Sequence, residues 1–142
     1  MEVRIVTTAE ELNDAFTVRK IVFVDEQQVP EEEEIDQFED DATHIVLYDG
    51  EQPVGAGRFR VIDGLGKVER ICVMESHRKQ GAGKLVMNKI EDIARNANVP
   101  KLKLNAQTHA EAFYKSLGYQ TVSPEVFMDA GIPHVTMIKE LS

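Results

Sequence analysis

The chain has little cysteine, no tryptophan and no long apolar stretch. Cys72 is the only cysteine among 142 residues, which excludes an intrachain disulfide and a cysteine-rich zinc site. No apolar run reaches the roughly 20 residues that a membrane-spanning helix needs. The N-terminal segment, MEVRIVTTAEE, has no apolar region of the kind found in signal peptides. We therefore expect a cytoplasmic protein that has no membrane partner.

Basic residues are outnumbered by acidic ones, and the excess is concentrated in one segment. The sequence contains 16 Lys and Arg against 25 Asp and Glu, for a formal net charge of −9. Residues 31–41, EEEEIDQFEDD, hold eight of these acids and no base. Because nonspecific nucleic-acid binding depends on basic surface, we expect no nucleic-acid partner. The segment lacks the ligand spacing of a calcium-binding loop, so we also expect no metal.

The order of the predicted elements indicates one α/β (α+β) domain that spans residues 1–142. Thr8 and Glu11 fit a capping box at the start of a first helix, and residues 80–96 and 109–117 fit two more helices. Strand-like patterns occur at seven places. They lie at residues 3–6, 43–48, 54–62, 67–74, 101–105, 119–122 and 135–141. This order predicts a mixed sheet with helices packed on it.

The most informative segment is a glycine-rich turn between a predicted strand and a predicted helix. It comprises Arg78, Lys79, Gln80, Gly81, Ala82, Gly83 and Lys84. The free N–H groups and the positive end of a helix N-terminus suit a phosphate, and glycine lets the backbone approach a ligand closely. The glycine spacing excludes a P-loop, and a position after an apparent antiparallel meander fits a dinucleotide-binding fold badly.

Two motifs resemble the signatures of the GNAT superfamily of N-acetyltransferases. Arg78-x-x-Gly81-x-Gly83 is similar to its acyl-CoA pyrophosphate motif, and the segment from Ala112 to Tyr119 is similar to its second signature. The resemblance covers essentially the whole chain. It implies a GNAT fold with a central mixed, mostly antiparallel sheet of about six to seven strands flanked by about three to four helices. It also implies acetyl-CoA as co-substrate and acyl transfer to a primary amine by direct attack in a ternary complex.

The N-terminal part resembles a small bacterial subgroup of that superfamily, the YjcF/ElaA-like proteins. The similarity lies in the stretch from Arg19 to Gln27, in Val29-Pro30, in the acidic run and in His44. The acceptors of this subgroup are poorly established, so the resemblance implies the acyl donor more firmly than the acceptor. We expect the acceptor to be a small amine, an amino sugar, or an amine of a peptide or protein.

The resemblance implies a set of residues that contact acetyl-CoA. They are Ile71, Cys72, Val73, Arg78, Lys79, Gln80, Gly81, Ala82, Gly83, Lys84, Asn105 and Tyr114. Tyr114 is expected to be the general acid, since a phenol stays protonated at neutral pH and can donate to the departing thiolate. A backbone N–H near Val73 is expected to stabilise the oxyanion. Asn105 could instead simply end its strand, and Cys72 is expected to be a small buried side chain and no nucleophile.

The catalytic base is less well defined by the pattern. Glu69 lies four residues before Val73, and strict strand alternation would place both on one face, although a bulge would change that. Glu69 could equally form an ion pair with Arg70. His44 is a second candidate because histidine titrates near neutral pH, but it could also be structural. A third possibility is deprotonation through water, with no single base.

One side of the first helix is expected to bind the acceptor. Arg19, Phe23 and Glu26 recur at i, i+4 and i+7, which places them on one side of a regular helix. The resemblance implies that this helix walls the acceptor cleft, so these three residues are predicted to bind substrate. Glu26 and part of the acidic run are expected to attract a cationic amine. We expect most of the run to be solvated surface, with Asp40 and Asp41 its more ordered acids.

A second class of function stays open, namely a non-catalytic acyl-CoA-binding sensor or partner-binding module on the same fold. Tyr114 and the loop from Arg78 to Gly83 favour the enzyme, because a scaffold requires neither. The sequence leaves the oligomeric state open between monomer and homodimer.

Overall fold

The computed structural model describes residues 1–141, which form eight strands and four α-helices. The strands are β1 Glu2–Ile5, β2 Thr43–Asp49, β3 Gln52–Ile62, β4 Leu65–Val73, β5 Lys101–Gln107, β6 Gln120–Thr121, β7 Phe127–Asp129 and β8 Ile132–Glu140. The helices are α1 Ala9–Arg19, α2 Glu31–Glu34, α3 Ala82–Asn96 and α4 Glu111–Ser116. A π-helical segment, Lys20–Glu26, continues α1 directly.

The strands form one sheet in the order β1-β2-β3-β4-β5-β8-β6, with β7 also paired to β8. Every pairing is antiparallel except that of β4 with β5. The predicted mixed, mostly antiparallel sheet is confirmed. The strand that the sequence did not predict is β7, which forms a hairpin with β8 around Ala130 and Gly131, both at positive φ. Prolines and glycines in this region had indicated only a loop.

The parallel pair in the middle of the sheet is short and then opens. Gly66 pairs with Leu102 and Lys67 with Lys103, and β4 and β5 form no further pairs in the described chain. Beyond Lys67 the two strands separate, so the edges that face each other lack strand partners. This gap fixes the position of the cavity described below.

The two faces of the sheet are covered by different helices. α3 packs Val86, Met87 and Ile90 against one face, where Leu102 and Met137 complete a hydrophobic core. α1 covers the other face at the β1–β4 side, in a smaller cluster that includes Ala15, Val18, Val46, Ala56 and Cys72. α3 is therefore the crossover that the parallel β4–β5 connection requires.

The start of α1 has the predicted capping box. The Glu11 backbone N–H donates to Thr8 Oγ1 at 3.1 Å, and the Thr8 N–H donates to Glu11 Oε1 at 3.2 Å. Two of the helix's otherwise unpaired donors are satisfied in this way.

The end of the first helix departs from the regular geometry on which the substrate-binding prediction rested. A π-helix closes its hydrogen bonds over five residues, so the angular spacing of side chains changes from Lys20 onward. Phe23 and Glu26 line the cavity, which is compatible with their predicted contact with substrate. Arg19 is instead 0 % exposed and directed into the acidic segment. This geometry does not favour the prediction that Arg19 binds substrate.

Most of the acidic run is exposed surface, as predicted, but three of its acids, Glu34, Asp36 and Glu39, are held by arginines. Arg19 donates to Glu34 and Glu39, with closest distances of 2.6 and 2.7 Å. Arg58 binds Asp36 at 2.7 Å and Glu39 at 3.1 Å. By contrast, Asp40 and Asp41 are exposed, so the prediction that these two are the ordered acids is wrong. We call the paired group Arg19, Glu34, Asp36, Glu39, Arg58, Arg60, Glu69 and Arg70 the arginine–carboxylate network.

Candidate active site

A cavity of about 750 Å³ lies where β4 and β5 separate. Its two long walls are residues 67–73 of β4 and residues 103–107 of β5. The π-helical segment contributes Phe23 and Glu26, α4 contributes Tyr114, and β8 contributes His134. Of the residues predicted to contact acetyl-CoA, the cavity is lined by Ile71, Cys72, Val73, Arg78, Asn105 and Tyr114.

A β-bulge on β4 shapes the wall of this cavity. The pairing register of β3 with β4 moves from Ala56–Cys72 to Arg58–Glu69, so two residues of β4 lie opposite one residue of β3. Arg70, one of the two, has φ of 58°. The bulge places Glu69 on the face of the arginine–carboxylate network, whereas Ile71 and Val73 pack toward the α3 core. Strict alternation of Glu69 with Val73 is therefore wrong for this strand.

Tyr114 lies at the boundary between the core and the cavity. Its ring packs edge-on against Phe113 and Tyr119, with centroids 5.0 and 5.9 Å away. Burial raises the pKa of the Tyr114 phenol above its ordinary value. The residue lines the cavity, and its hydroxyl has no hydrogen-bond partner among the side chains and backbone of residues 1–141. The arrangement leaves a protonated phenol whose donor is available to a bound molecule.

Arg78 is held in place by two partners. Its Nε donates to the Val73 carbonyl at 3.0 Å, and its two terminal nitrogens each donate to a Glu26 oxygen at 2.6 Å. Hydrogen bonding to Arg78 lowers the pKa of Glu26, so the carboxylate is charged and occupied. This pair joins the end of the first helix to the glycine-rich turn. It also means that Glu26 is not free to attract a cation.

The glycine-rich turn ends at the first residue of α3 and leaves open space in front of it. Gly81 is the N-cap residue of α3 with φ of 80°, and a Cβ built on it would meet nothing within 4 Å. No side chain caps this helix start. A Cβ on Gly83 would lie 3.0 Å from the Phe113 ring, so glycine is needed there for packing. The first N–H groups of α3 are thus accessible at the helix's positive end.

Glu69 lines the cavity, but both of its oxygens are occupied. Arg60 donates to them at 2.6 and 3.0 Å, and Arg58 lies 3.2 Å away. Burial alone would raise the pKa of Glu69, but the Arg60 hydrogen bond and the Arg58 charge outweigh it and lower the pKa. A carboxylate in this state is a weak proton acceptor. Its role as the base stays a prediction that this geometry does not favour.

His44, the other predicted base, lies elsewhere. It is buried on β2 beneath α1, with its ring edge-on to Phe16, and its Nε2 lies 2.9 Å from the Glu39 carbonyl oxygen. His44 is absent from the described cavity lining. This position favours the structural alternative, next to the acidic segment, over the predicted catalytic role of His44.

Asn105 is in the middle of β5 and does not end the strand. It pairs with Thr136 on β8, whose hydroxyl donates to Asn105 Oδ1 at 2.9 Å. Two residues further on, Gln107 donates to Gln27 Oε1 at 2.8 Å. This bond connects the β5 wall with the end of the π-helical segment.

His134 is a functional candidate that the sequence reasoning missed. Its Nδ1 lies 2.7 Å from the Ile132 carbonyl oxygen, an arrangement in which Nδ1–H donates and Nε2 carries the free lone pair. The ring stacks on Phe127 at 6.0 Å and lines the cavity. A signal existed, since Val135 and Met137 fit the core and alternation places His134 on the opposite face.

Cys72 contributes backbone and bulk to the wall. It is 5 % exposed, and burial raises the pKa of its thiol to about 12. A thiol in this state is not a nucleophile at neutral pH.

Two further properties of residues 1–141 bear on function. They contain no group of three or more His, Cys, Asp or Glu side chains arranged to hold a metal ion. None of the helices formed by these residues is both long and apolar enough to cross a membrane.

A parallel strand pair that opens beside an uncapped, glycine-rich helix start matches the acyltransferase class that the two motifs indicated. The family model for the acetyltransferase (GNAT) domain matches residues 9–141, and the chain belongs to this family. The predicted superfamily is thereby confirmed.

Individual relatives place the chain more narrowly. It is 53 % identical over 140 residues to YjcF of Bacillus subtilis (strain 168), described as an uncharacterized N-acetyltransferase, covering 99 % of this chain and 100 % of that protein. The crystal structure of Escherichia coli ElaA has a TM-score of 0.86 and 27 % identity, covering 98 % of this chain and 99 % of that one. The similarity to YjcF- and ElaA-like proteins is as predicted.

A more distant structure shows the same fold with a ligand. The crystal structure of an aminoglycoside 6′-N-acetyltransferase complexed with coenzyme A has a TM-score of 0.79 and 14 % identity. The match covers 100 % of this chain and 98 % of that one.

Proposed function

We propose that the protein is an N-acetyltransferase that transfers an acetyl group from acetyl-CoA to a primary amine. The observation that carries the proposal is Tyr114, a buried, protonated phenol with an unpaired hydroxyl, in a cavity bordered by the open edge of β4. A phenol at this place is suited to protonate a departing thiolate. Membership of the GNAT family supports the same reaction class.

The residues present suit coenzyme A. The uncapped start of α3 offers backbone donors and a positive helix end for a pyrophosphate, and the open space beside Gly81 leaves room for it. Lys79 and Lys84 add positive charge to the same turn, and its described residues include no acid. The coenzyme A complex of a protein with this fold is consistent with the assignment.

Each step of the transfer can be given to a group of this chain. When bound, acetyl-CoA supplies a thioester whose C–S bond breaks as the C–N bond to the amine forms. Tyr114 donates its proton to the sulfur, and a backbone N–H near Val73 donates to the oxyanion. The amine's proton passes to Nε2 of His134, whose ring is fixed through Nδ1. Glu69 is a poorer acceptor because arginines already occupy its oxygens.

The test is release of free coenzyme A from acetyl-CoA in the presence of a panel of primary amines. We expect turnover with at least one class of amine. In Tyr114→Phe we expect kcat to fall by roughly 100-fold, the loss typical of removing a general acid. Acetyl-CoA affinity, measured separately by calorimetry, should stay within about twofold, because the phenyl ring keeps its packing against Phe113.

Two results would each contradict a part of this proposal. Tight acetyl-CoA binding without turnover of any amine would favour the acyl-CoA-binding sensor or partner module instead. Equal kcat in wild type and Tyr114→Phe would keep the enzyme but remove Tyr114 as its acid. A cytoplasmic location, a single domain over residues 1–142 and the choice between monomer and homodimer remain predictions.

A further inference from the structure

Two lysines lie side by side on the wall of the cavity with no acid to neutralise them. Lys67 of β4 and Lys103 of β5 are register partners in the parallel pair, at the point where the two strands begin to separate. Both are partly buried, and both line the cavity. Neither makes an ion pair or a side-chain hydrogen bond with any residue in 1–141.

Three of the four acids in the described lining are already paired with arginines. Glu69, two residues from Lys67, is bound by Arg60 and Arg58. Glu26 is bound by Arg78, and Glu34 by Arg19. Asp129 is the one remaining acid in the described lining, and it is an exposed residue on β7. Lys67 and Lys103 are therefore the cations of the described lining that have no paired acid, although the whole chain is acidic with a formal net charge of −9.

Such a pair of like charges is unfavourable in the sheet itself. Cations directly opposite each other on neighbouring strands destabilise the pairing, and Arg60 extends the row because it pairs with Lys67 on the other side. Partial burial weakens screening by water and salt. A ligand anion placed between the two ammonium groups would relieve this repulsion.

The lysines lie on the same face of the sheet as His134. Leu102 and Leu104, their neighbours in β5, pack into the α3 core, so alternation directs Lys103 to the opposite face. Asn105 and Gln107 follow on that face, and Gln107 pairs with His134. Lys103 and Gln107 are four residues apart, roughly 13 Å along the strand.

We propose that Lys67 and Lys103 form a binding site for an anionic group, a carboxylate or a phosphate, on the amine that accepts the acetyl group. The proposal rests on the acetyltransferase function given above. It replaces the expectation of a purely cationic amine. Because the lysines lie several residues from His134, the acceptor's amine and anion are separated by several bonds, as in an ω-amino acid, rather than by one carbon.

The experiment compares amines that differ only in the anion. 6-Aminohexanoate is compared with hexylamine, 4-aminobutyrate with butylamine, and O-phosphoethanolamine with ethanolamine, by kcat/KM for coenzyme A release. We expect the anionic member to be preferred by roughly tenfold or more, the effect of one charge-assisted contact. The phosphate pair against the carboxylate pairs tells which anion is bound, and glycine tests the spacing.

Two substitutions connect the preference to the lysines. In Lys103→Glu the preference should reverse toward the diamine 1,6-diaminohexane, which a merely structural lysine would not cause. The matched control is Lys101→Glu on the same strand, because Lys101 pairs with Glu140 and is absent from the described lining. This control should keep the wild-type preference. Acetyl-CoA affinity and thermal unfolding show whether each variant is folded.

The outcomes separate this inference from the function on which it rests. Equal use of anionic and neutral amines, or a preference unchanged by Lys103→Glu, would overturn the anion site and leave the acetyltransferase intact. If no amine is acetylated, the function itself fails. The site is then judged by binding, since 6-aminohexanoate but not hexylamine should raise the thermal midpoint of wild type and not of Lys103→Glu. No such difference would overturn it.

Discussion

Some charged side chains around the cavity are paired with an opposite charge in the folded protein, and others are not. Glu26 and Glu69 accept from arginines through both oxygens. Lys67 and Lys103 have no such partner among the described residues, and His134 uses only one ring nitrogen. Groups whose partners are fixed serve the architecture, because rearranging them would leave a partner unpaired. The unpaired groups are the ones that can act on a bound molecule.

His134 gives a prediction at this scale. In His134→Gln we expect kcat/KM at pH 7 to fall by roughly 100-fold, the loss of a general base. The deficit should shrink as the pH rises toward about 10, where a lysine-like amine loses its own proton. The measurement is the pH–rate profile of wild type and variant with one amine.

His109→Gln is the control for that profile. His109 also lines the cavity, but it is exposed and its Nε2 lies 2.6 Å from Gln107 Oε1. We expect this variant to keep most of its activity at pH 7. A deficit in His134→Gln that is constant across pH would indicate a positioning role and contradict proton transfer.

The residues that sequence alone could find are those whose roles follow from neighbours in the chain. The turn from Arg78 to Gly83 and Tyr114 were predicted because their motifs are contiguous. The pairing of Lys67 with Lys103, and of Gln107 with His134, depends on which strands become neighbours in the sheet. No local pattern contains that information.

At the scale of elements, two local departures from regular geometry changed the faces on which periodicity had placed side chains. The π-helical segment Lys20–Glu26 removed Arg19 from the stripe that it would share with Phe23 on a regular α-helix. The bulge at Arg70 turned Glu69 away from the face of Val73. Arginine rarely adopts a positive φ, so neither Arg70 nor its neighbours in the sequence predict a bulge at this position. The regular parts, such as α3, were predicted well.

The junction of β4, the glycine-rich turn and α3 gives a second prediction. Gly81→Asp places a negative, branched side chain in front of the uncapped helix start. We expect acetyl-CoA affinity to fall by at least roughly tenfold, about 1.4 kcal/mol, because the carboxylate competes with a phosphate for the same donors. Titration calorimetry with acetyl-CoA measures the change.

Gly64→Asp is a closely matched control. Gly64 has φ of 78° against 80° for Gly81, and a Cβ on either would meet nothing within 4 Å. The two substitutions therefore introduce similar backbone strain, but Gly64 lies in the β3–β4 turn. If both variants lost the same affinity, strain would explain the loss and the phosphate assignment would fail.

At the scale of the whole molecule, the arginine–carboxylate network joins parts that are distant in the sequence. Arg19, Glu39 and Arg58 connect α1, the acidic segment and β3, and the Arg58–Glu69 pair extends the connection to β4. The network pairs four acids with four arginines, so it is electrically neutral within a chain whose formal net charge is −9. The segment becomes one side of the cavity because Glu34 reaches its lining.

The network predicts acid sensitivity. Burial would raise the pKa of Glu39, but hydrogen bonding and charge from Arg19 outweigh it and lower the pKa from 4.5 to about 2. A lowered folded-state pKa stabilises the fold above the unfolded value and loses that contribution as pH falls from 4.5 toward 2. We expect the free energy of unfolding, from urea titrations, to decrease in this range.

Glu39→Gln should lower the free energy of unfolding already at neutral pH, because it removes the charge that acid removes in the wild type. We expect a destabilisation of roughly 3 kcal/mol at pH 7, since Arg19 loses a charged partner inside the protein. The stabilities of variant and wild type should approach each other as the pH falls below 4.5 and converge near pH 2. Asp40→Asn, an exposed neighbour, should change stability by less than about 0.5 kcal/mol. Parallel pH curves for Glu39→Gln and wild type would show that Glu39 does not cause the acid loss.

The short pairing of β4 with β5 also has a consequence for assembly of the chain. Strands β1–β4 pair in sequence order, and β5–β8 pair among themselves, so each set can form from nearby segments. Within residues 1–141, the two sets are joined by strand pairing only where Gly66 and Lys67 meet Leu102 and Lys103. The sheet therefore consists of two antiparallel halves that pair through one short parallel contact, and α3 connects the halves in the chain. The cavity lies along the part of β4 and β5 over which the two halves do not pair with each other.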